Sequence, residues 1–329
     1  VGQLSVLFIG GSGIISSACS RLAVDRGIDL TVLNRGATCT RPLPPEATVV
    51  HADIRDPASV RDALGDRSFD AVVDWVAFTP EHVQTDIDLF RDRTGQYVFI
   101  SSASAYQTPP ERLPVLESTP LANPFWAYSR AKIACEQLLV DEYRAGGFPA
   151  TIIRPSHTYD ATLVPFDGGW TAPARMRAGK PVVVHGDGTS LWTITHHEDF
   201  ARGFVPLLGH PRAVGDAFHI TGDETPTWNQ IAHALAAALG VQAQLVHVPS
   251  DAIAAMHPGW GAGLLGDKAH SMVFDNSKLR ALVPDYKAVI PFHLGARQIV
   301  DWHLADESRQ VVDAELDAVM DKLVERYAA

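Results

Sequence analysis

Apolar residues fall in short runs separated by helical periodicities from the start of the chain. Residues 4–9 form a strand-length run, and 14–26 repeat apolar positions at helical spacing before Gly27. Residues 30–33 are a second run. A polar, Pro-rich stretch over 41–45 leads to a third run at 48–51. Pro57 opens a helix that reaches Leu64 and stops at Gly65, which makes Asp56 its N-cap. Residues 71–76 and 97–101 are further strands, with a helix over 80–93 between them. A long loop with several prolines, 103–124, is followed by a helix over 125–145, ended by Gly146-Gly147, and by a sixth strand over 150–153. Strands of buried character alternating with helices predict an α/β fold with a doubly wound parallel sheet.

Beyond Pro155 the pattern is less regular. Short strands are expected at 182–185, 191–195 and 218–220, with helices at 198–208, 228–239, 293–304 and 308–327. This predicts a smaller, discontinuous second domain. We place a dinucleotide-binding domain at 1–158 plus about 190–222, and a substrate domain at about 159–189 plus 223–329.

The first strand ends in Gly10-Gly11-Ser12-Gly13 and runs straight into a helix. Glycine lets a chain turn tightly and approach a pyrophosphate at a helix N-terminus. The glycines read in two registers, Gly11-x-Gly13-x-x-Ser16 and Gly10-x-x-Gly13-x-x-Ser16. Ser16, the smallest departure from Gly, should keep the helix close to the strand.

Composition agrees with a globular chain of more than one ordinary domain: 329 residues, 46% hydrophobic and 20% charged. The net charge of −11 opposes nucleic acid as the main partner. No apolar stretch is long enough to span a membrane. Cys19, Cys39 and Cys135 show no metal-ligand spacing and are expected as reduced thiols of a cytoplasmic protein. The histidines, His157, His185, His196-His197 and His219, lack a His-Glu-x-x-His spacing, so no metal is expected.

Ligands in open α/β sheets bind beyond the carboxyl ends of the strands. The second strand ends at Asn34-Arg35. A neutral Asn does not repel a ribose 2′-phosphate, and Arg offers it a fork of donors, which favours NADP over NAD as cofactor. The third strand ends at Asp53-Ile54, suited to the adenine amino group and ring. The fifth ends at Ser101-Ser102, and Tyr128 and Lys132 share a face of the next helix. A cation beside a phenol lowers its pKa, so a tuned Tyr128 could move a proton to or from a carbinol oxygen held by Ser102.

These residues carry a resemblance. With Phe99-Ile-Ser-Ser-Ala-Ser-Ala-Tyr106, Arg154-Pro155 and Gly186-Asp187-Gly188, the chain resembles the extended short-chain dehydrogenase/reductases of the NAD-dependent epimerase/dehydratase family over nearly its whole length. The resemblance implies a Rossmann-type sheet and a Ser–Tyr–Lys centre of Ser102, Tyr128 and Lys132. Lys132 would also touch the nicotinamide ribose. Gly10, Gly13, Ile14, Ile15, Val76, Ala77, Phe78, Pro155 and His157 would line the cofactor, His157 standing where the family usually has Asn. It implies a homodimer paired through the helices at 80–93 and 125–145.

Three departures narrow the chemistry. Asn34-Arg35 replaces a frequent acidic residue. Ala103-Ser104 stands where sugar 4,6-dehydratases carry an Asp-Glu pair. Trp192 stands where an Arg usually grips a nucleotide-sugar diphosphate, with Arg175, Arg177, Lys180 and Lys268 as possible substitutes. A loop over 159–170 should close a substrate pocket lined by Ser102, Ala103, Tyr128, Trp170 and Trp192, with Phe166 nearby. The expected function is hydride transfer on a sugar or nucleotide-sugar hydroxyl or ketone, by an epimerase or oxidoreductase. The alternatives are an NADPH-dependent carbonyl reductase and a catalytically silent relative of the chloroplast RNA-binding members of the fold, which share Asn-Arg-Gly after the second strand but lack the Tyr-x-x-x-Lys centre.

Overall fold

The computed structural model describes residues 2–36 and 41–328. Cys39 lies outside them. Seven parallel strands form the central sheet: β1 (Ser5–Ile9), β2 (Asp29–Asn34), β3 (Thr48–His51), β4 (Ala71–Asp74), β5 (Tyr97–Ile100), β6 (Ala150–Pro155) and a late strand, Ala217–Ile220. From one edge the order is β3, β2, β1, β4, β5, β6 and then that late strand. The order reverses between β1 and β4, which opens a crevice at their carboxyl ends.

Residue alternation assigns the two faces. Val6 and Phe8 of β1 face one layer, with α1 (Ile14–Asp25) and a later helix carrying Phe200 and Phe204. Leu7 and Ile9 face the other, with α2 (Pro57–Leu64), α3 (Pro80–Phe90) and α4 (Ala127–Gly146). Burial on both faces explains the nearly continuous apolar strands.

The rest of the chain supplies the remaining elements, among them the seventh sheet strand. It contributes β7 (His157–Tyr159), α5 (Thr171–Arg177), β8 (Val182–His185), β9 (Ile194–His196), α6 (His197–Phe204), the late sheet strand as β10, α7 (Trp228–Ala238) and β11 (Leu245–Val248). Two small helices, α8 (Ser250–Met256) and α9 (Pro258–Gly263), lead into a π-helical turn, Leu264–Lys268. Then come α10 (Ser277–Leu282), α11 (Phe292–Leu304) and α12 (Ala314–Tyr327). β7 pairs with β9, and β8 with β11. These pairings, α5 and the short helices were not anticipated, and α12 begins six residues later than the expected 308 because Asp313 caps it. Among the described residues no helix is long and apolar enough to cross a membrane.

Candidate active site

At the crevice the chain leaves β1 through Gly10, whose φ of +79° only glycine adopts without strain. A Cβ there would also stand 3.0 Å from Val76 Cγ1. Gly11 makes the close approach to β2: its Cβ would meet Val32 Cγ1 at 2.9 Å. Ser16 does more than stay small, since its Oγ accepts from the Gly13 amide at 2.8 Å. Gly13, Ile14 and Ile15 form the start of α1, and Ile15 packs on the core.

Beside this turn lies a cavity of about 380 Å³. Gly10, Asn34, Arg35, Asp53, Ile54, Val76 and Phe78 all line it. Asn34 Oδ1 accepts from the Gly36 amide at 2.9 Å, which leaves Arg35 at the rim. The Asp53 carboxylate accepts from the Arg55 amide at 3.0 Å, and the Arg55 guanidinium reaches across to the Val76 carbonyl. Arg55 and His82 line the same cavity and were not singled out from sequence. The tight glycine turn, the helix N-terminus and this pocket fit a dinucleotide.

A second cavity, of about 410 Å³, is lined by Ser102, Ala103, Tyr128, Pro155 and His157. The two adjacent serines part company here. Ser101 is buried and donates to Glu136 Oε1 at 2.5 Å, and Glu136 in turn holds Arg154. Ser102 faces the cavity, its Oγ held by the Ser104 amide at 3.2 Å and hydroxyl at 2.9 Å. Ser129 donates to Ser104 at 2.8 Å and ties this cluster to α4.

Lys132 is buried and donates to the carbonyls of Ala77 and Ile100, each at 2.7 Å. It pins the segment after β4 to the end of β5, and burial pulls its pKa down to about 8. It lies 5.7 Å from the centre of the Tyr128 ring. Tyr128 itself departs from expectation. Burial raises its pKa, and the Ser102 hydroxyl only partly offsets this. In this structure the ammonium is committed to two carbonyls and does not lower the phenol. Ala77 is therefore a carbonyl anchor for Lys132 rather than a wall of the first cavity.

His157 also lines the second cavity. Burial drops its pKa to about 3, so the ring is neutral, and among the described residues its Nε2 has no partner. Trp192 forms part of the same wall, is 2% exposed, and its Nε1 likewise has no partner among the described residues. Trp170 is not there. It caps α5 and stacks on His303 with ring centres 4.5 Å apart, buried in the apolar cluster of the C-terminal region. Phe166 packs edge-on against Trp228, also away from this cavity. Arg175 is bound to Asp317 and Asp321, Arg177 to Gln310, and Lys180 to Asp321. Of the four cations considered for a phosphate, only Lys268 lines the cavity.

The histidines serve the fold. His196 Nε2 meets Gln298 at 2.8 Å, His197 Nδ1 meets the Ile14 carbonyl at 3.0 Å, and His219 pairs with Tyr106 and the Asp275 carbonyl. Among the described residues no group of three or more His, Cys, Asp or Glu comes together as a metal site.

Lys268 was singled out as a possible phosphate cation, but Asp267 beside it and Asn123, buried before α4, were not; Asp267 and Lys268 lie in the π-helical turn, more than a hundred residues from the serines. The one available signal is a pair of charges directly after the glycine-rich run 259–266.

The pattern of the NAD dependent epimerase/dehydratase family matches residues 6–221. The chain is 27% identical to the chloroplast stem-loop binding protein of 41 kDa b of Arabidopsis thaliana, covering 74% of this chain and 66% of that protein. It spans less than two-thirds of that relative's length. It is 26% identical to the 2′-dehydrokanamycin reductase of Streptomyces kanamyceticus, over 99% of this chain and 91% of the reductase. The fold is shared with the epimerase Mth375 of Methanothermobacter thermautotrophicus at a TM-score of 0.75 and 17% identity, covering 94% of each chain.

Proposed function

Because the chain belongs to the NAD dependent epimerase/dehydratase family and is an enzyme of that family, we propose that it interconverts an alcohol and a ketone on a sugar-derived substrate, with NADP as its cofactor. The observation that carries this reading is the second cavity. Two hydroxyls, Ser102 and Tyr128, share it with Pro155 and His157, while Trp192 replaces a cationic wall. The 2′-dehydrokanamycin reductase, matched from end to end, supports a reductase over an epimerase.

The nicotinamide, when bound, supplies or accepts the hydride. Gly10, Asp53, Ile54 and Arg35 would hold the adenosine half, with Arg35 at the 2′-phosphate. In reduction, Ser102 donates to the carbonyl oxygen and Tyr128 gives it a proton as the carbinol forms. Oxidation runs the same transfer backwards. Lys132 keeps the strand ends around Tyr128 in register. Trp192 offers an aromatic face to a sugar ring and no charge to a diphosphate. We read the partner as a small molecule rather than a nucleic acid, on the −11 net charge and the intact Ser–Tyr–Lys set. The unpaired thiols of Cys19 and Cys135 fit a cytoplasmic location.

The test is NADPH oxidation with a set of keto sugars that includes 2′-dehydrokanamycin. Turnover should appear with wild type and fall about a hundredfold or more in Tyr128→Phe, with NADPH binding unchanged. Wild-type rates in that variant, or no binding of a nicotinamide cofactor, would sink the reading.

A further inference from the structure

Asp267 has no part in the chemistry above, yet the fold builds it into the same cavity. Asn123 Nδ2 donates to the Gly266 carbonyl at 2.6 Å and to the Ser104 carbonyl at 2.9 Å. Its Oδ1 accepts from the Phe125 and Trp126 amides at the start of α4. One buried amide thus fastens the π-helical turn to the serine cluster and to the helix that carries Tyr128. A Cβ on Gly266 would stand 2.8 Å from Trp126 Cβ, so glycine is needed for this approach. Single π turns inside helical segments are frequent at functional sites. Here the turn makes Asp267 line the cavity that His157 also lines, near enough for its charge to raise the Tyr128 phenol.

What the carboxyl lacks is a partner. Among the described residues no hydrogen bond or ion pair reaches it. Lys268 acts on it, but acts on Asp167 as well, so two carboxyls share one ammonium. Burial pushes Asp267 up to about 7, and the Lys268 charge only partly offsets it. The unpartnered Nε1 of Trp192, 2% exposed, and Nε2 of His157 belong to the same cavity. An anionic substrate would meet Asp267 head-on. A neutral one would leave the carboxyl without its counter-ion. An ammonium would supply it, flanked by the rings of Trp126 and Trp192.

We propose that Asp267 is a specificity-determining residue that pairs with a protonated amino group close to the reacting carbon, so that the substrate is an amino sugar. This rests on reading the cavity as the substrate site.

The pairing is linked to pH. The titratable groups around Asp267 are Tyr128 from α4, His157 from β7 in the same cavity, and Lys268 beside it, which also acts on Asp167 and whose carbonyl meets His185 of β8. Burial holds His157 near 3 and His185 near 4, so both rings stay neutral while Asp267 titrates. An ammonium favours the carboxylate. Affinity therefore falls as pH drops below about 7, by up to about tenfold per pH unit.

Calorimetric and saturation-transfer titrations of the NADPH-loaded protein with glucosamine, glucose and inorganic phosphate test this. At about pH 7, glucosamine should bind about tenfold or more tighter than glucose. That preference should vanish at about pH 5.5 and in Asp267→Asn. Lys268→Met, which leaves Asp267 in place, should strengthen glucosamine binding. Equal or tighter binding of glucose or phosphate, a preference that survives in a folded Asp267→Asn, weaker glucosamine binding in Lys268→Met, or no glucosamine binding at all would each overturn it. Failure of the broader reading shows separately, as wild-type protein that does not take up NADPH.

Discussion

Arg35 is the residue on which cofactor choice turns. It lines the adenosine-side cavity next to Asn34, whose side chain is occupied by the Gly36 amide and by His51 at 3.1 Å. No carboxylate of β2 opposes a 2′-phosphate there. Arg35→Ala should weaken NADPH binding by about ten- to a hundredfold, the scale of a charge-assisted hydrogen bond, and leave NADH unchanged. Fluorescence titration with both cofactors measures it, and an equal loss for the two would remove Arg35 from the site. Residues near one another in sequence, or near a strand end, were legible without coordinates. Ser102, Tyr128 and Lys132 follow from strand register and from the four-residue repeat of a helix. Trp170 and Trp192 were not separable, because both are tryptophans in irregular sequence. Only tertiary packing puts one against His303 and the other on the cavity. Lys132 shows the same limit. Its spacing from Tyr128 was readable, but the carbonyls that claim its protons, Ile100 of β5 and Ala77 after β4, come from distant parts of the chain.

Elements were legible where one short pattern decides them. β3 and α2 run as expected, Thr48–His51 and Pro57–Leu64, because Pro57 and Gly65 mark the ends of α2 and Asp56 accepts from Ala58 and Ser59. β7 and β11 were hidden because three or four residues become strands only through distant partners, β9 and β8. α6 illustrates how a late element supports an early one. His197 at its start reaches back to the Ile14 carbonyl beside the glycine turn. Burial lowers its pKa from 6.5 to about 4. Between those values the unfolded chain binds a proton that the folded protein refuses. Stability is therefore fully retained above about 6.5 and is lost as pH falls toward about 4, by about 1.4 kcal/mol per pH unit for this ring. Gln at this position cannot take up the proton. Urea denaturation of His197→Gln at several pH values should show a slope shallower by about that amount, whereas an unchanged slope would mean the ring is not held neutral.

At the scale of the whole molecule, the sheet order with its reversal between β1 and β4 sets where ligands go, and it leaves α3 and α4 side by side on one outer face. Val83, Ile87 and Phe90 of α3 and Cys135 and Leu139 of α4 point inward to the sheet. Outward, α4 presents Ala127, Arg130, Ala134 and Gln137, all exposed, with the two alanines seven residues apart on one stripe. Small outward residues let a second helix approach closely. A pair of such faces related by a twofold axis would bury both α4 helices against each other and brace the segment that carries Tyr128. We therefore predict a homodimer through α3 and α4. Light scattering after size exclusion should give twice the chain mass at micromolar concentration. Ala134→Glu, which sets two like charges near the axis, should give monomer while retaining the fold by circular dichroism. A wild-type monomer throughout that range, or a dimer indifferent to Ala134→Glu, would place the contact elsewhere or remove it.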